Sequence, residues 1–216
     1  MIVKSLPTGQ LMVNCYILGD EEVKEAAVFD PGGHVEKIMG ALKEDGLTVK
    51  YIINTHAHFD HVGGNKGLQD ATGAPILIHQ DEASDLLGAS KDARMLGFSA
   101  IDSEATHFIK EGDILWVGSI KIDVIDLRGH SSAGLGFVFE GEIENRGKKE
   151  ILKAVICGDA LFAGSIGRTD LSGGDQELLL DNIRKKIFSL PDDTLVLSGH
   201  GPHTSVGKEK KYNPFF

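Results

Sequence analysis

Within the run Thr55-His56-Ala57-His58-Phe59-Asp60-His61, four side chains able to bind a metal fall inside six residues. Neutral imidazole and carboxylate are the ligands of zinc, iron and manganese sites. Asp and His also cap helices and fill turns, and a single HxH pair would carry little weight. Few structural needs call for three histidines and an aspartate packed this tightly, so the run points to a metal site. The β-prone segment Tyr51-Ile52-Ile53-Asn54 precedes it and Val62-Gly63-Gly64-Asn65 follows. The run therefore lies in a loop at a strand end, where α/β chains place their chemistry.

Three further donors sit at strand ends of their own. His130 follows a strand that ends near Ile125, Asp159 follows the strand 151–156, and His200 follows the last strand, Leu195-Val196-Leu197. Their glycine neighbours, in Gly129-His130, Gly158-Asp159 and Gly199-His200-Gly201, suit a backbone that must crowd a cluster. The total is five histidines and two aspartates. One zinc takes about four ligands, and a catalytic zinc keeps one position for water, so seven donors suit two ions. A carboxylate such as Asp159 can bridge them. Two ions about 3.5–4 Å apart can share a water and lower its pKa towards about 7, supplying a hydroxide nucleophile and polarising the carbonyl it attacks. No serine or cysteine nucleophile is then needed.

The elements that must carry these donors read as follows. Strands are predicted at 11–18 and 26–29, joined by the charged turn Gly19-Asp20-Glu21-Glu22 and ended by Asp30-Pro31-Gly32-Gly33. Val35, Ile38, Met39 and Leu42 have helical spacing, and Gly46 stops that helix. A helix at 65–72 and a strand at 75–78 follow the histidine loop. Residues 80–106 are irregular, with a helix at 81–87. A hairpin turns at Gly118-Ser119 between strands 114–117 and 120–125. Strands 136–139 and 151–156 are joined by a polar loop, 141–150. Leu178, Leu179, Ile183 and Ile187 mark a helix at 175–188. The charged stretch Lys208-Glu209-Lys210-Lys211 reads as a solvated helix face. Interleaved strands and helices make the class α/β, in a single domain over 1–216.

Composition narrows the partners. The 216 residues carry a formal charge of -10, which disfavours a nucleic-acid partner because phosphate binding needs a basic face. The two cysteines, Cys15 and Cys157, form no CxxC and no disulfide framework, and read as buried thiols in a reducing compartment. No signal segment or run of transmembrane length is seen, so the expectation is a cytoplasmic protein with no membrane partner.

The HxHxDH run, Gly129-His130-Ser131, Gly158-Asp159 and Gly199-His200-Gly201 together resemble the metallo-β-lactamase-fold superfamily, from Asn14-Cys15-Tyr16 to Asn213-Pro214-Phe215. The resemblance implies an αβ/βα four-layer sandwich, two mixed sheets flanked by helices, with metals at one edge. It implies one ion on His56, His58 and His130, a second on Asp60, His61 and His200, and Asp159 between them. Asp60 is also a candidate proton acceptor. Asp30 matches an early aspartate that orients the site from behind the ligands. Two divalent ions are implied, zinc first, with iron and manganese also suited to these donors.

Within the superfamily, Gly164-Ser165-Ile166-Gly167-Arg168-Thr169-Asp170, Gly173-Gly174-Asp175, His200-Gly201-Pro202 and Asn213-Pro214-Phe215 are similar to compact glyoxalase II-like hydrolases. That implies hydrolysis of a small-molecule thioester, S-lactoylglutathione or a related acyl thioester. Full-length glyoxalase II grips glutathione with a C-terminal helical domain, whereas 16 residues follow His200 here. Arg168 and Lys208 are the candidate substitutes, and for Arg168 a structural pairing with Asp170 is at least as good a reading. A mononuclear iron persulfide dioxygenase would use the equivalents of His56, His130 and Asp159 and shares the Gly-Arg-Thr-Asp run. A lactonase would use all seven donors. A β-lactamase usually has cysteine or histidine where Asp159 stands. His34, His79, His107 and His203 fall outside the donor set: His34 and His79 read as surface or capping residues, and His203, close to His200 in sequence, as a pocket-lining residue that is not a ligand.

Overall fold

The computed structural model describes every residue except Arg146, with the side chains of Glu144 and Asn145 also outside the description. The chain divides into two compact units, residues 1–109 with 116–119, and residues 110–115 with 120–216. The first contains one six-stranded sheet in sequence order: β1 (Ile2–Thr8), β2 (Val13–Asp20), β3 (Glu25–Phe29), β4 (Thr48–Ile53), β5 (Ile76–Ile78) and β6 (His107–Phe108). β1, β2 and β3 pair antiparallel, while β3, β4, β5 and β6 pair parallel, so the sheet is mixed. Helix α1 (Val35–Asp45) makes the crossover from β3 to β4 and buries Ile38 and Leu42, one turn apart, against Val28, Val49, Ile52 and Ile76. Gly46 ends it in the left-handed region at φ 68°, as its spacing predicts. Short helices α2 (Phe59–Val62), α3 (Asn65–Thr72), α4 (Ala83–Leu86) and α5 (Ala89–Met95) complete the unit.

The second sheet has the order β14-β13-β10-β9-β8-β7, built from β7 (Ile114–Val117), β8 (Ile120–Asp126), β9 (Leu135–Asn145), β10 (Lys148–Gly158), β13 (Leu195–Ser198) and β14 (Thr204–Ser205). β13 runs parallel to β10, and β9 is antiparallel to both β8 and β10. The ribbon β11 (Leu161–Phe162) and β12 (Ser165–Ile166) stands apart from it. Helix α6 (Gln176–Asn182) is capped by Asp175, whose carboxylate accepts the Leu178 N–H at 3.0 Å. It continues as a π turn over Ile183–Ile187, and Leu179, Ile183 and Ile187 are fully buried. Helix α7 (Val206–Tyr212) closes the unit.

Several expectations need correction. Residues 2–8, for which no apolar pattern predicts an element, form β1. It is an edge strand of half-buried, partly polar residues, and it tolerates Pro7 because an edge position leaves one face of the backbone unpaired. β2 begins at Val13 rather than Leu11, which lies in the preceding turn and is exposed. The polar loop expected at 141–150 is instead largely strand. β9 and β10 run out together with Glu142 opposite Ile151 and Glu140 opposite Lys153, and Lys149 pairs with Glu142 at 2.6 Å. Solvent-facing cross-strand charge pairs hold a ribbon that its polarity alone reads as a loop.

The hairpin tip 116–119 belongs to the first unit, where Asp20 anchors it. Its Oδ2 accepts from Ser119 N at 2.8 Å and Ser119 Oγ at 2.7 Å, while Oδ1 accepts from Glu22 N at 2.8 Å. Burial works to raise the Asp20 carboxyl, but these donors outweigh it and hold it at about 2, below the ordinary 3.8. A carboxyl depressed on folding stabilises above its unfolded pKa and loses that contribution as pH falls through its folded one. Asp20→Asn is therefore expected to cost on the order of 2 kcal/mol at pH 7. Urea melts should show the gap between variant and wild type narrowing from pH 4 towards pH 2.

Candidate metal centre

In the first unit the backbone ladder ends where the donors begin. Asn54 N still donates to Leu77 O at 2.9 Å, and the chain then leaves β4 for the loop that enters α2. Asp30, just past β3, sits behind that loop, fully buried and with φ 47°. Its Oδ1 accepts Thr55 N at 2.8 Å, and its Oδ2 accepts Thr55 Oγ1 at 2.7 Å and His61 Nδ1 at 3.0 Å. This orienting position is the one the resemblance implies for Asp30. The backbones must also approach closely. A Cβ on Gly32 would lie 1.9 Å from the Asp60 carbonyl oxygen, so Asp30-Pro31-Gly32 can back α2 only with glycine there.

These contacts fix the proton positions on two rings. A carboxylate only accepts, so His61 Nδ1 carries the proton and its Nε2 holds the lone pair. Thr55 gives its hydroxyl proton to Asp30, so at 2.9 Å it accepts from His56 Nδ1, and His56 likewise presents Nε2. His56 Nε2 lies 3.0 Å from His58 Nδ1, and His61 Nε2 lies 3.7 Å from Asp60 Oδ2. Two ligands about 2.0–2.1 Å from a tetrahedral ion stand about 3.3–3.4 Å apart, a value these distances bracket. His56 and His61 are buried, and His58 and Asp60 are half-buried. Imidazole and carboxylate donors converging at this spacing fit a divalent cation.

The second unit has a donor group of its own. Gly199 N donates to Gly158 O at 2.7 Å, which ties the ends of β10 and β13 and brings Asp159 beside His200. Asp159 Oδ2 lies 3.8 Å from His200 Nε2 and 3.7 Å from His130 Nε2. His130 Nδ1 donates to the Arg168 carbonyl at 2.8 Å, so this ring too presents Nε2. Here the chemistry of the donors again fits a divalent ion, with one carboxylate oxygen facing two imidazoles.

Behind His130 the runs that carried the glyoxalase II likeness form a single scaffold. Glu209 is fully buried on α7, where it accepts from Gly164 N at 2.8 Å and Asn213 Nδ2 at 2.9 Å, and Asn213 Nδ2 also donates to Ser165 O. The expected solvated face at 208–211 thus holds for Lys208, Lys210 and Lys211 and fails for Glu209. Arg168 makes the structural pairing: its Nε and one terminal nitrogen each donate to Asp170 at 2.7 Å, in an exposed fork. Lys208 is exposed on the first turn of α7, and its backbone N–H donates to Ser205 Oγ, the helix cap. Of the other histidines, His79 caps a turn by accepting Asp81 N at 3.1 Å, whereas His34 makes no side-chain cap. Both cysteines are buried, and burial pushes the Cys157 thiol up to about 12, so neither offers a thiolate.

Sequence comparison decides the family. The profile of the metallo-beta-lactamase superfamily matches residues 8–142. The chain belongs to that superfamily. It is 34% identical over 218 residues to the hydroxyacylglutathione hydrolase GloC of Haemophilus influenzae, covering 100% of this chain and 98% of that one. The crystal structure of the BLEG-1 B3 metallo-beta-lactamase superposes with a TM-score of 0.86 at 35% identity, covering 99% of each chain. A structure of TTHA1623 in a di-iron-bound form gives 0.83 at 33% identity, covering 100% of each. The two mixed sheets with their helices are accordingly the metallo-β-lactamase fold, and the protein is a metallo-hydrolase of that fold. No helix among the described residues is long and apolar enough to cross a membrane.

Gly167 offers a clean test of the scaffold. A Cβ there would lie 1.9 Å from Asp159 O and 2.9 Å from His130 Nδ1, displacing two donors at once. Gly167→Ala is expected to lower bound metal per chain and thermal stability together. Gly40→Ala, in the exposed middle of α1 with nothing near its added methyl, should instead stabilise by about 0.5–1 kcal/mol and leave metal content unchanged. Metal analysis and thermal melts of the two variants check both.

Proposed function

We propose that the chain is a dinuclear, glyoxalase II-like thioesterase acting on S-lactoylglutathione or a related small acyl thioester, its two units working as one catalytic domain. The observation that carries this reading is the likeness, over the whole chain, to a hydroxyacylglutathione hydrolase. His56, His58 and His130 would hold one ion, and Asp60, His61 and His200 the second, with Asp159 shared. The likeness to a di-iron protein supports two ions and makes iron a candidate beside zinc and manganese. When bound, the ions supply an acidified water and polarise the carbonyl under attack.

The chain's own residues prepare that chemistry. Asp30, Thr55 and the Arg168 carbonyl fix which nitrogen of His61, His56 and His130 is presented. Half-buried Asp60, a ligand in this reading, is also the candidate to accept a proton from water. In the net reaction a water oxygen forms the new C–O bond, the C–S bond breaks, and the sulfur leaves as thiolate. A thiolate needs no strong acid to depart, so the absence of a dedicated acid from the donor set is no obstacle. Arg168 and Lys208 are retained as contacts for a charged thiol carrier. Arg168 serves this role only by giving up its fork with Asp170.

Metal-quantified protein should turn over S-lactoylglutathione with two metal ions per chain. His58→Ala and Asp159→Ala should each lower kcat by at least 10³-fold while the fold persists by circular dichroism. Oxygen uptake with glutathione persulfide at one iron per chain would replace this reading with a dioxygenase. Turnover of a chromogenic cephalosporin in place of the thioester would replace it with a β-lactamase.

A further inference from the structure

We infer that Glu82 is a positioning residue for the ligand loop, acting on His56 and His58 through the peptide between them. Glu82 ends the 3₁₀ turn Gln80–Glu82 that follows β5, and β5 is the parallel neighbour of β4, the strand that feeds the loop. Its side chain is 2% exposed, and its Oε2 accepts the Ala57 N–H at 3.0 Å. Ala57 is itself buried and stands between the two histidines whose facing nitrogens are 3.0 Å apart.

Two physical facts make this more than packing. A carboxylate withdrawn from water is costly, and a position filled only for its bulk would take an apolar residue more readily. A buried peptide N–H without an acceptor is costly too, and rotating that peptide to find another would swing both flanking rings. Asp30 holds the loop from one side through Thr55, and Glu82 holds it two residues further on. The plane of the Ala57 peptide, and with it the spread of His56 and His58, is set between these two carboxylates. The role is one of reach and acceptance rather than charge. It rests on the proposed metal site, and the experiment separates the two.

The test compares Glu82→Gln, which keeps an acceptor at the same reach, with Glu82→Asp, which keeps the charge but withdraws the oxygens by about one C–C bond, roughly 1.5 Å. Zinc affinity is read by competition with a chelator, and protection of the Ala57 amide by hydrogen exchange on the metal-free chain. Glu82→Gln is expected to stay within about threefold of wild type in affinity and to keep the amide protected. Glu82→Asp should weaken zinc binding by about 10–100-fold and deprotect Ala57. Wild-type affinity and protection in Glu82→Asp would overturn the assignment, as would equal losses in both variants, which would make charge the operative property. A wild-type chain that takes up no zinc would overturn the metal centre itself, and Glu82's role with it. Normal zinc uptake by wild type confines any failure to Glu82.

Discussion

Asp30 is a buried anion that accepts three hydrogen bonds from the segment carrying the first donors. Removing a carboxylate from water costs several kcal/mol, and only a full set of well-aligned donors offsets it. Those donors are Thr55 and His61, so the loop cannot satisfy Asp30 without also placing His56 and His61. The crossover from β3 through α1 to β4 brings residue 30 beside residue 55, and the core under α1 holds that crossover in place. The backbone then closes on itself: Gly32 lies against the Asp60 carbonyl, and Gly64 N donates to Pro31 O at 2.7 Å. A hydrophobic core in this unit fixes one polar knot, and the knot fixes the donors.

In the second unit His130 is oriented by a different kind of acceptor. The backbone carbonyl of Arg168 accepts its Nδ1 proton, and Arg168 lies in the tight course of 164–170. Glu209 and Asn213 on and after α7 pin the start of that course, and Gly167 lets it pass between His130 and Asp159. Substitution tolerance should therefore differ: the first group depends on side-chain chemistry at 30 and 55, the second on backbone shape at 164–168.

The donors were legible because ligand chemistry admits few residue types, and because each donor follows a strand that its own apolar run announces. The long helices were legible for a related reason, since Ile38 and Leu42, or Leu179, Ile183 and Ile187, recur at helical spacing. What escaped was whatever depends on partners remote in sequence. β1 is a strand because β2 is there to pair with it, not because Lys4, Ser5 and Pro7 favour one. The outer part of β9 and β10 is polar on both strands and is held by pairs across the ribbon, which no window along one strand reveals. Glu209 reads as part of a solvated face and Glu82 is not singled out by any pattern, because a glutamate in a polar stretch carries no mark of burial. Each is buried by an acceptor role toward a backbone N–H more than 20 residues away.

The proton inventory of the imidazoles draws these observations together. His56, His61 and His130 each give the Nδ1 proton to a different kind of acceptor: a hydroxyl already committed to Asp30, the Asp30 carboxylate, and a peptide carbonyl. All three present Nε2 before any ion arrives, so taking up a cation requires no tautomer change from them. His58 turns its other nitrogen to the cluster: its Nδ1 stands 3.0 Å from His56 Nε2. A cation between two such nitrogens takes a lone pair from each, so His58 would serve it with its proton on Nε2, the reverse of the other three rings. The donor set therefore asks for both imidazole tautomers, three rings of one kind and His58 of the other.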